Sequence, residues 1–571
     1  VVSTALQPQE KESEEISLWV THPDLPVLIL GLVLALGICW PLVGGGQVFL
    51  LDWVIGPHFA ILSPGFYGLN GGVTSGLPLA LVVGLLTHLV GSAATWLPIA
   101  VFFPIATVSM GRLVGGRQWA RLGAATLFAI NPFVFQRLYA GHIPLLLGYA
   151  LLPLVVRSMV RAVDNRGVAR LTPVLWMALL TGMSPHFAWV CGVLLLAVVL
   201  AHRRRLAALG WAATVSLCFV PTLAYVFLPQ SAASPPATVG SYDLSAFQTM
   251  GDPQVGLFGN VAGLYGFWRA GPGPALPKYY VSGWFLLLLA VLVVVAIGAV
   301  TALRDVQTTG TTESGGDTRR RGGARLDRRM VASVVVISAV VGFFLALGSQ
   351  GPTGPLFRWA YVHVPFFNIM REPEKFSVLL ALGYAACFGW GIERWANSFA
   401  PGRRIIGVVA VFFVALGLPL AYTPTIFDGL DGQIATSHLP ASWTQAEQIT
   451  GSRTGDLLFF PWHLYLAFPF AGGRVIASPA PSSFTGEVIS GDDLELPALY
   501  SQSTSPRSAF IERLIAEGGA GGKFGQQVAL LGCSTWRWPR PSIGRVISGS
   551  RDNQTCISFS TRPVWSCGRT L

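Results

Sequence analysis

The sequence predicts an all-α polytopic membrane bundle of about eleven transmembrane helices, followed by a small α+β domain on the outer face. Three observations carry this. Of 571 residues, 52% are hydrophobic and only 11% are charged, whereas soluble domains carry roughly 25% charged residues. Apolar runs such as Leu25–Val43, Val281–Leu303, Met330–Leu347 and Ile405–Ala421 approach the ~20 residues that cross a bilayer. Basic residues gather in short runs between the apolar segments, the pattern of the positive-inside rule. The net charge of +11 therefore speaks for membrane orientation and against a nucleic-acid partner.

The N-terminal segment 1–24 carries Glu10, Lys11, Glu12, Glu14 and Glu15. A secretory signal starts basic, so 25–43 is read as a retained first helix behind a cytoplasmic N-terminus. Further spans are expected at 95–111, 119–136, 143–161, 171–184, 187–201, 206–228, 281–303, 330–348, 377–395 and 404–422. Five basic loops belong in the cytoplasm: Arg112–Arg121, Arg157–Arg170, His202–Arg205, the long Arg304–Arg329 loop with Arg319, Arg320 and Arg321, and Arg394–Arg404. The outer loops are then 44–94, 137–142, 229–280, 349–376 and everything past 423.

Loop 44–94 contains no Lys or Arg, and its apolar stretch 77–91 is read as a helix in or on the outer leaflet. Residues 171–201 have basic residues at both ends and cross an even number of times. Two short helices turning at Ser184-Pro185-His186 satisfy that. Cys39, Cys191, Cys218 and Cys387 read as small core residues. After 423 the composition turns polar. Asp456–Trp462 reads as a strand, Ala509–Ala516 as an amphipathic helix, and Val528–Gly532 as the start of a buried strand. These define an outer α+β domain over 424–532. The tail 533–571 is abruptly rich in Arg, Ser, Trp and Cys. It is a disordered basic tail or a shifted reading frame, and no function is assigned to it.

Charged residues at a bilayer are costly and point to function. Asp52 is the only Asp or Glu between Asp24 and Asp164. It lies in the apolar run Phe49-Leu50-Leu51-Asp52-Trp53-Val54 just past the first span, where it suits a general base or an N-cap. Met370-Arg371-Glu372-Pro373-Glu374-Lys375-Phe376 precedes a late span. Arg371 and Lys375 suit a phosphate, and Glu372 or Glu374 a hydroxyl or a divalent cation. The alternative is an interfacial anchor with internal ion pairs. Arg137 and His142 share a short outer turn and suit a phosphate or sugar, or lipid headgroups. His58, His186 and Trp268 fall on the same side as accessory or sugar-stacking candidates. No Cys/His metal spacing, phosphate-binding glycine loop, nucleophile elbow or internal repeat is present.

One retained span, an outer loop with an acidic residue just past it, an apolar outer helix at Pro78–Gly91, then Gly111-Arg112-Leu113-Val114-Gly115-Gly116-Arg117 and Ala124–Pro132 follow in sequence. This layout resembles the GT-C superfamily of membrane glycosyltransferases. The Arg371–Phe376 cluster is also similar to one in actinobacterial cell-wall arabinofuranosyltransferases of the D type, and to YfhO-like membrane proteins. The resemblance implies a GT-C-like bundle over 25–423 with Asp52 as the catalytic acid–base residue. It further implies a donor sugar on a polyprenyl phosphate, with Arg371, Lys375, Arg137 and His142 toward the donor phosphate. The acceptor would be a cell-envelope glycan or lipid at the outer face of the plasma membrane. Many members pair two acidic residues in the first loop, whereas Asp52 stands alone. The rival readings are a carrier of lipid-linked saccharides and a non-catalytic envelope scaffold.

Overall fold

The computed structural model describes residues 22–58, 67, 76–232, 241–268, 276–304, 327–399, 404–451, 456–493, 503, 505–517, 524–529, 533–535 and 557–558. The acidic start, the Arg319–Arg321 loop and nearly all of the tail lie outside these residues. Among the described residues, seven helical segments are long and apolar enough to cross a membrane: Leu25–Leu42, Ala93–Val114, Ile143–Ala162, Arg205–Leu228, Trp284–Arg304, Arg328–Ala346 and Pro373–Ala396. An eighth is added if the pair 406–422 and 424–431, bent by 71°, counts as one. Leu32, Leu286, Leu289, Val340 and Phe413 stand exposed on them. Water would not tolerate so large an apolar surface, and the chain is an integral membrane protein.

The bundle is built from α1 (Leu25–Cys39), α2 (Leu77–Val90), α3 (Ala93–Val114), α4 (Gln118–Ala129), α5 (Pro132–Tyr139), α6 (Ile143–Ala162), α7 (Thr172–Met183), α8 (Phe187–Ala201), α9 (Arg205–Phe219), α10 (Trp284–Arg304), α11 (Arg328–Ala346), α12 (Ser377–Ala396) and α13 (Arg404–Phe412). α12 is buried along almost its whole length. Its small residues explain why. A β-carbon at Gly389 would sit 2.4 Å from the Ala120 carbonyl oxygen of α4, and one at Gly391 2.2 Å from that of Val294 in α10. Without side chains there, neighbouring backbones close in from two sides, the usual way helices associate where lipid supplies no hydrophobic drive.

The span expected at 119–136 is not one helix. α4 stops at Ala129, Ile130 is extended, and α5 starts at Pro132. Asn131 makes the break tolerable. Its side-chain oxygen accepts from Val134 N (3.1 Å), while its amide donates to the Leu127 and Phe128 carbonyls (2.9 and 3.0 Å). One side chain thus satisfies orphan groups of both helix ends. α7 and α8 form the expected short hairpin about Ser184–His186, and α2 the expected apolar helix. Cys39, Cys191 and Cys387 are buried, but Cys218 is exposed.

Past 423, the chain forms α14 (Ala441–Thr450), α15 (Pro506–Ala516) and several short strands. β1 (Gln47–Val48) of the first loop pairs antiparallel with β2 (Thr436–Ser437). β3 (Asp456–Phe460) lies between β6 (Val488–Ile489) and β7 (Cys533–Thr535), parallel to both, and β4 (Tyr465–Ala467) pairs antiparallel with β5 (Val475–Ala477). Val528 belongs to a helix, Phe524–Ala529, and not to a strand as expected from 528, while 530–532 lie outside the described residues. A separate apolar cluster holds Trp443, Phe459, Phe468 and Ile476, and it includes Phe49 of the first loop.

Candidate active site

Three segments distant in sequence meet at the N-terminal end of α12. The first is the loop after α1. Val48 N donates to Thr95 Oγ1 (3.0 Å), Trp53 Nε1 to the Thr95 carbonyl (2.7 Å) and Leu50 N to the Trp53 carbonyl (3.0 Å). These bonds make a tight turn with Asp52 at its tip. Asp52 N donates to the Ala140 carbonyl (3.0 Å), which docks the tip on the second segment. Gly141 has φ +75°, and a β-carbon there would lie 2.6 Å from Trp53 N, so both conformation and space call for glycine.

The second segment is the end of α5. The break at Asn131 redirects the chain so that Arg137 enters the interior with a side chain only 1% exposed. The third is Glu372–Lys375. Arg137 forms ion pairs with Glu372 (3.0 Å) and Glu374, and its guanidinium lies 4.8 Å from the centre of the Phe267 ring. Lys375 pairs with Glu372 (3.0 Å), and its Nζ lies 2.9 Å from His186 Nε2. Two buried cations thus face two buried carboxyl groups. Pairing of this kind is what makes charge tolerable away from water.

His142 joins this core to Asp52. Its Nδ1 lies 2.7 Å from Arg137 Nη1 and its Nε2 2.9 Å from Asp52 Oδ2. A guanidinium only donates, so Nδ1 accepts and the ring hydrogen sits on Nε2, aimed at Asp52. Neither nitrogen keeps a free lone pair for a substrate proton. Tyr465 donates to the other Asp52 oxygen (2.6 Å). The Asp52 side chain remains one-third exposed, so a reactant can approach the carboxylate.

The same logic sets His186. Lys375 Nζ donates to Nε2, and Nδ1–H donates to Ser184 Oγ (2.8 Å). Burial, reinforced by Lys375, holds this imidazole well below its ordinary 6.5; Glu372 opposes the shift, and Arg371 adds to it. For Glu372, burial alone would raise the carboxyl, but Lys375, with Arg137 and Arg371, holds it well below 4.5. Unfolding therefore takes up a proton at His186 once the pH drops below about 6.5, whereas Glu372 contributes only below about 4.5. The His186 contribution to stability is complete above pH 6.5 and declines toward pH 5 by up to about 1.4 kcal/mol per pH unit. Thermal unfolding in detergent at pH 7.5 and 5 should be compared between wild type and His186→Gln: the change in stability on acidification should be less favourable in wild type, the difference between the two proteins being the His186 contribution.

Arg371 differs from its neighbours. It is partly exposed, its guanidinium lies 4.4 Å from the centre of the Phe247 ring, and no described carboxylate pairs with it. Phe247 is in turn stacked edge-on by Trp268 (4.8 Å). The fields of both Asp52 and Arg371 act on the Tyr465 phenol, and burial with the Asp52 charge pushes that phenol above its ordinary range.

The structure therefore gathers Asp52, Arg137, His142, His186, Glu372, Glu374, Lys375 and Arg371. It also corrects roles expected for five of them. Arg137, His142 and Lys375 are committed to internal partners and are not free for a donor phosphate, and Glu372 and Glu374 serve Arg137 rather than a hydroxyl. The internal ion pairs of the anchor alternative exist, but buried in the protein instead of at its edge. Trp268 packs on Phe247 and Phe267. His58 is tied by its backbone N to the Ser482 carbonyl (2.8 Å) and makes no described contact with the cluster. Among the described residues, no three His, Cys, Asp or Glu side chains come together as metal ligands. The sequence alone does not point to Tyr465, because nothing in the local run Trp462-His463-Leu464-Tyr465 refers to Asp52.

At the opposite end of α12, Glu393 binds Arg328 (2.6 Å) and Asp24 binds Arg112 (2.7 Å) and Arg121.

No protein-family model matches the chain, and no curated protein sequence does. The structure is similar to that of the arabinofuranosyltransferase AftD from Mycobacteria, with 15% identity and a TM-score of 0.47 over 82% of this chain and 31% of that one. A mutant form of the same enzyme matches with 15% identity and a TM-score of 0.46, over 86% and 33%. The chain thus spans about a third of that enzyme's length.

Proposed function

We propose that this protein is a membrane glycosyltransferase that moves a sugar from a polyprenyl-phosphate carrier to a hydroxyl of a cell-envelope glycan or lipid. The observation that carries the reading is a division of charge. Four buried groups, Arg137, Lys375, Glu372 and Glu374, are matched to one another. The two ionic groups left partly open are one carboxylate, Asp52, and one guanidinium, Arg371.

Those two suit the two ends of a glycosyl transfer. Asp52 takes the proton of the acceptor hydroxyl as its oxygen bonds to the anomeric carbon. The bond from that carbon to the phosphate oxygen breaks, and the electron pair leaves with the polyprenyl phosphate. Arg371 stabilises the growing negative charge, the electrostatic contribution that preorganised donors make. His142 and Tyr465 hold the carboxylate without competing for the proton. Charges gather at the two ends of α12, whereas a carrier places them near its middle. In this reading the site end faces outward, the N-terminus is cytoplasmic, and the segment over 424–532 forms the acceptor-side domain.

The test is turnover of a labelled polyprenyl-phosphate sugar by purified, lipid-reconstituted protein. Arg371→Ala is expected to lower kcat/KM about 10²-fold, with Arg371→Lys retaining part of the activity because the charge stays while the fork is lost. An Arg371→Ala protein as active as wild type would remove Arg371 from the leaving-group role.

A further inference from the structure

The region past 423 reaches into the site as well as covering it. Phe49, three residues before Asp52, is fully buried in the apolar cluster of Trp443, Phe459 and Phe468. Its ring meets that of Phe470 edge-on at 5.9 Å. β1 pairs with β2, Ala477 N donates to the Leu51 carbonyl (2.8 Å), and Gly56 N donates to Ser482 Oγ (2.8 Å). The loop bearing Asp52 is therefore held on one side by α3 and the Ala140 turn, and on the other by this region. The Tyr465 hydroxyl, from the same region, closes the arrangement at 2.6 Å from Asp52 Oδ1.

We infer that Tyr465 is a positioning residue for Asp52, and that the region past 423 thereby completes the reactive site instead of serving only to bind acceptor. This rests on the transferase reading for its consequence, but the contact itself does not. With His142 on Oδ2 and Tyr465 on Oδ1, the carboxylate cannot rotate without losing a hydrogen bond to a charged group, among the stronger kinds in proteins. Each oxygen keeps one lone pair, and the one-third exposure of the side chain leaves room for an acceptor hydroxyl to meet it. Displacement of the outer region withdraws Tyr465 and frees Asp52 to turn. Docking of that region and competence of the base are then one event.

Two arms test this. In the first, 3-fluorotyrosine is placed at position 465 of the full-length protein and followed by fluorine NMR. Asp52→Asn should move the resonance and lower the pH at which this phenol ionises, because the carboxylate helps hold it up. A resonance and titration indifferent to Asp52→Asn overturn the contact, whatever the protein catalyses. In the second, Tyr465→Phe should lower kcat about 10- to 100-fold with donor KM little changed. Tyr465→Phe with wild-type kcat overturns the positioning role. Wild type that turns over no polyprenyl-linked sugar sinks the transferase reading, and the fluorine arm then still decides the contact.

Discussion

Asp52→Asn should reduce sugar transfer by about 10³- to 10⁴-fold, the upper range for loss of a positioned general base. Asn keeps the size and one acceptor oxygen, so the turn docked on Ala140 and the hydrogen bond from one of His142 or Tyr465 survive. What disappears is the capacity to take a proton. His142 does not replace it, because Arg137 occupies Nδ1 and the hydrogen already sits on Nε2. Donor affinity should stay close to wild type, since Arg371 and its support on Phe247 are untouched. The measurement is initial rate against donor concentration, together with donor binding in the same preparation. Near-wild-type kcat in a well-folded variant would end the assignment of Asp52 as base.

The second large effect is on stability. Arg137→Met should destabilise the protein by about 3–5 kcal/mol, the cost of leaving buried charge without its partner. Arg137 is 1% exposed and serves Glu372, Glu374 and the His142 ring at once. Met approximates the length of its stem, so the loss is electrostatic rather than a cavity. Adding Glu374→Gln should recover part of the stability, because the carboxyl stranded by the first change is then neutral, while Glu372 keeps its pairing with Lys375. Such non-additivity distinguishes a coupled charge cluster from independent packing effects. Equal and additive losses in all combinations would contradict the cluster as described. The measure is unfolding of detergent-solubilised variants by intrinsic fluorescence.

Much of the architecture was legible because lipid imposes a simple rule. A span must be apolar for its full length, and the runs at 25–43, 281–303 and 330–348 satisfy it without reference to anything else. The short hairpin at 171–201 was equally legible, since Ser184-Pro185-His186 cannot sit inside a helix at that spacing. The break in 119–136 is not legible from Asn131-Pro132 alone. A proline near the end of an apolar run is tolerated at a helix start, and only the three bonds made by Asn131 show that a new helix starts there.

The site divides in the same way. The sequence by itself determined which residues were candidates: an isolated Asp52, a charge cluster at 371–375, and Arg137 with His142 in a short turn are unusual in any apolar chain, because an unused charge there is costly. Only the tertiary structure decided their partners. Arg137 and Glu374 are 237 positions apart and Asp52 and Tyr465 are 413 apart, and no local pattern encodes such pairings. Charge type was written in the sequence, but whether a charge is consumed by a neighbour or left for a substrate is a property of distance. That is why Arg137 and Lys375, equal candidates to Arg371 by composition, are neutralised inside the protein, while Arg371 and Asp52 remain open at its edge.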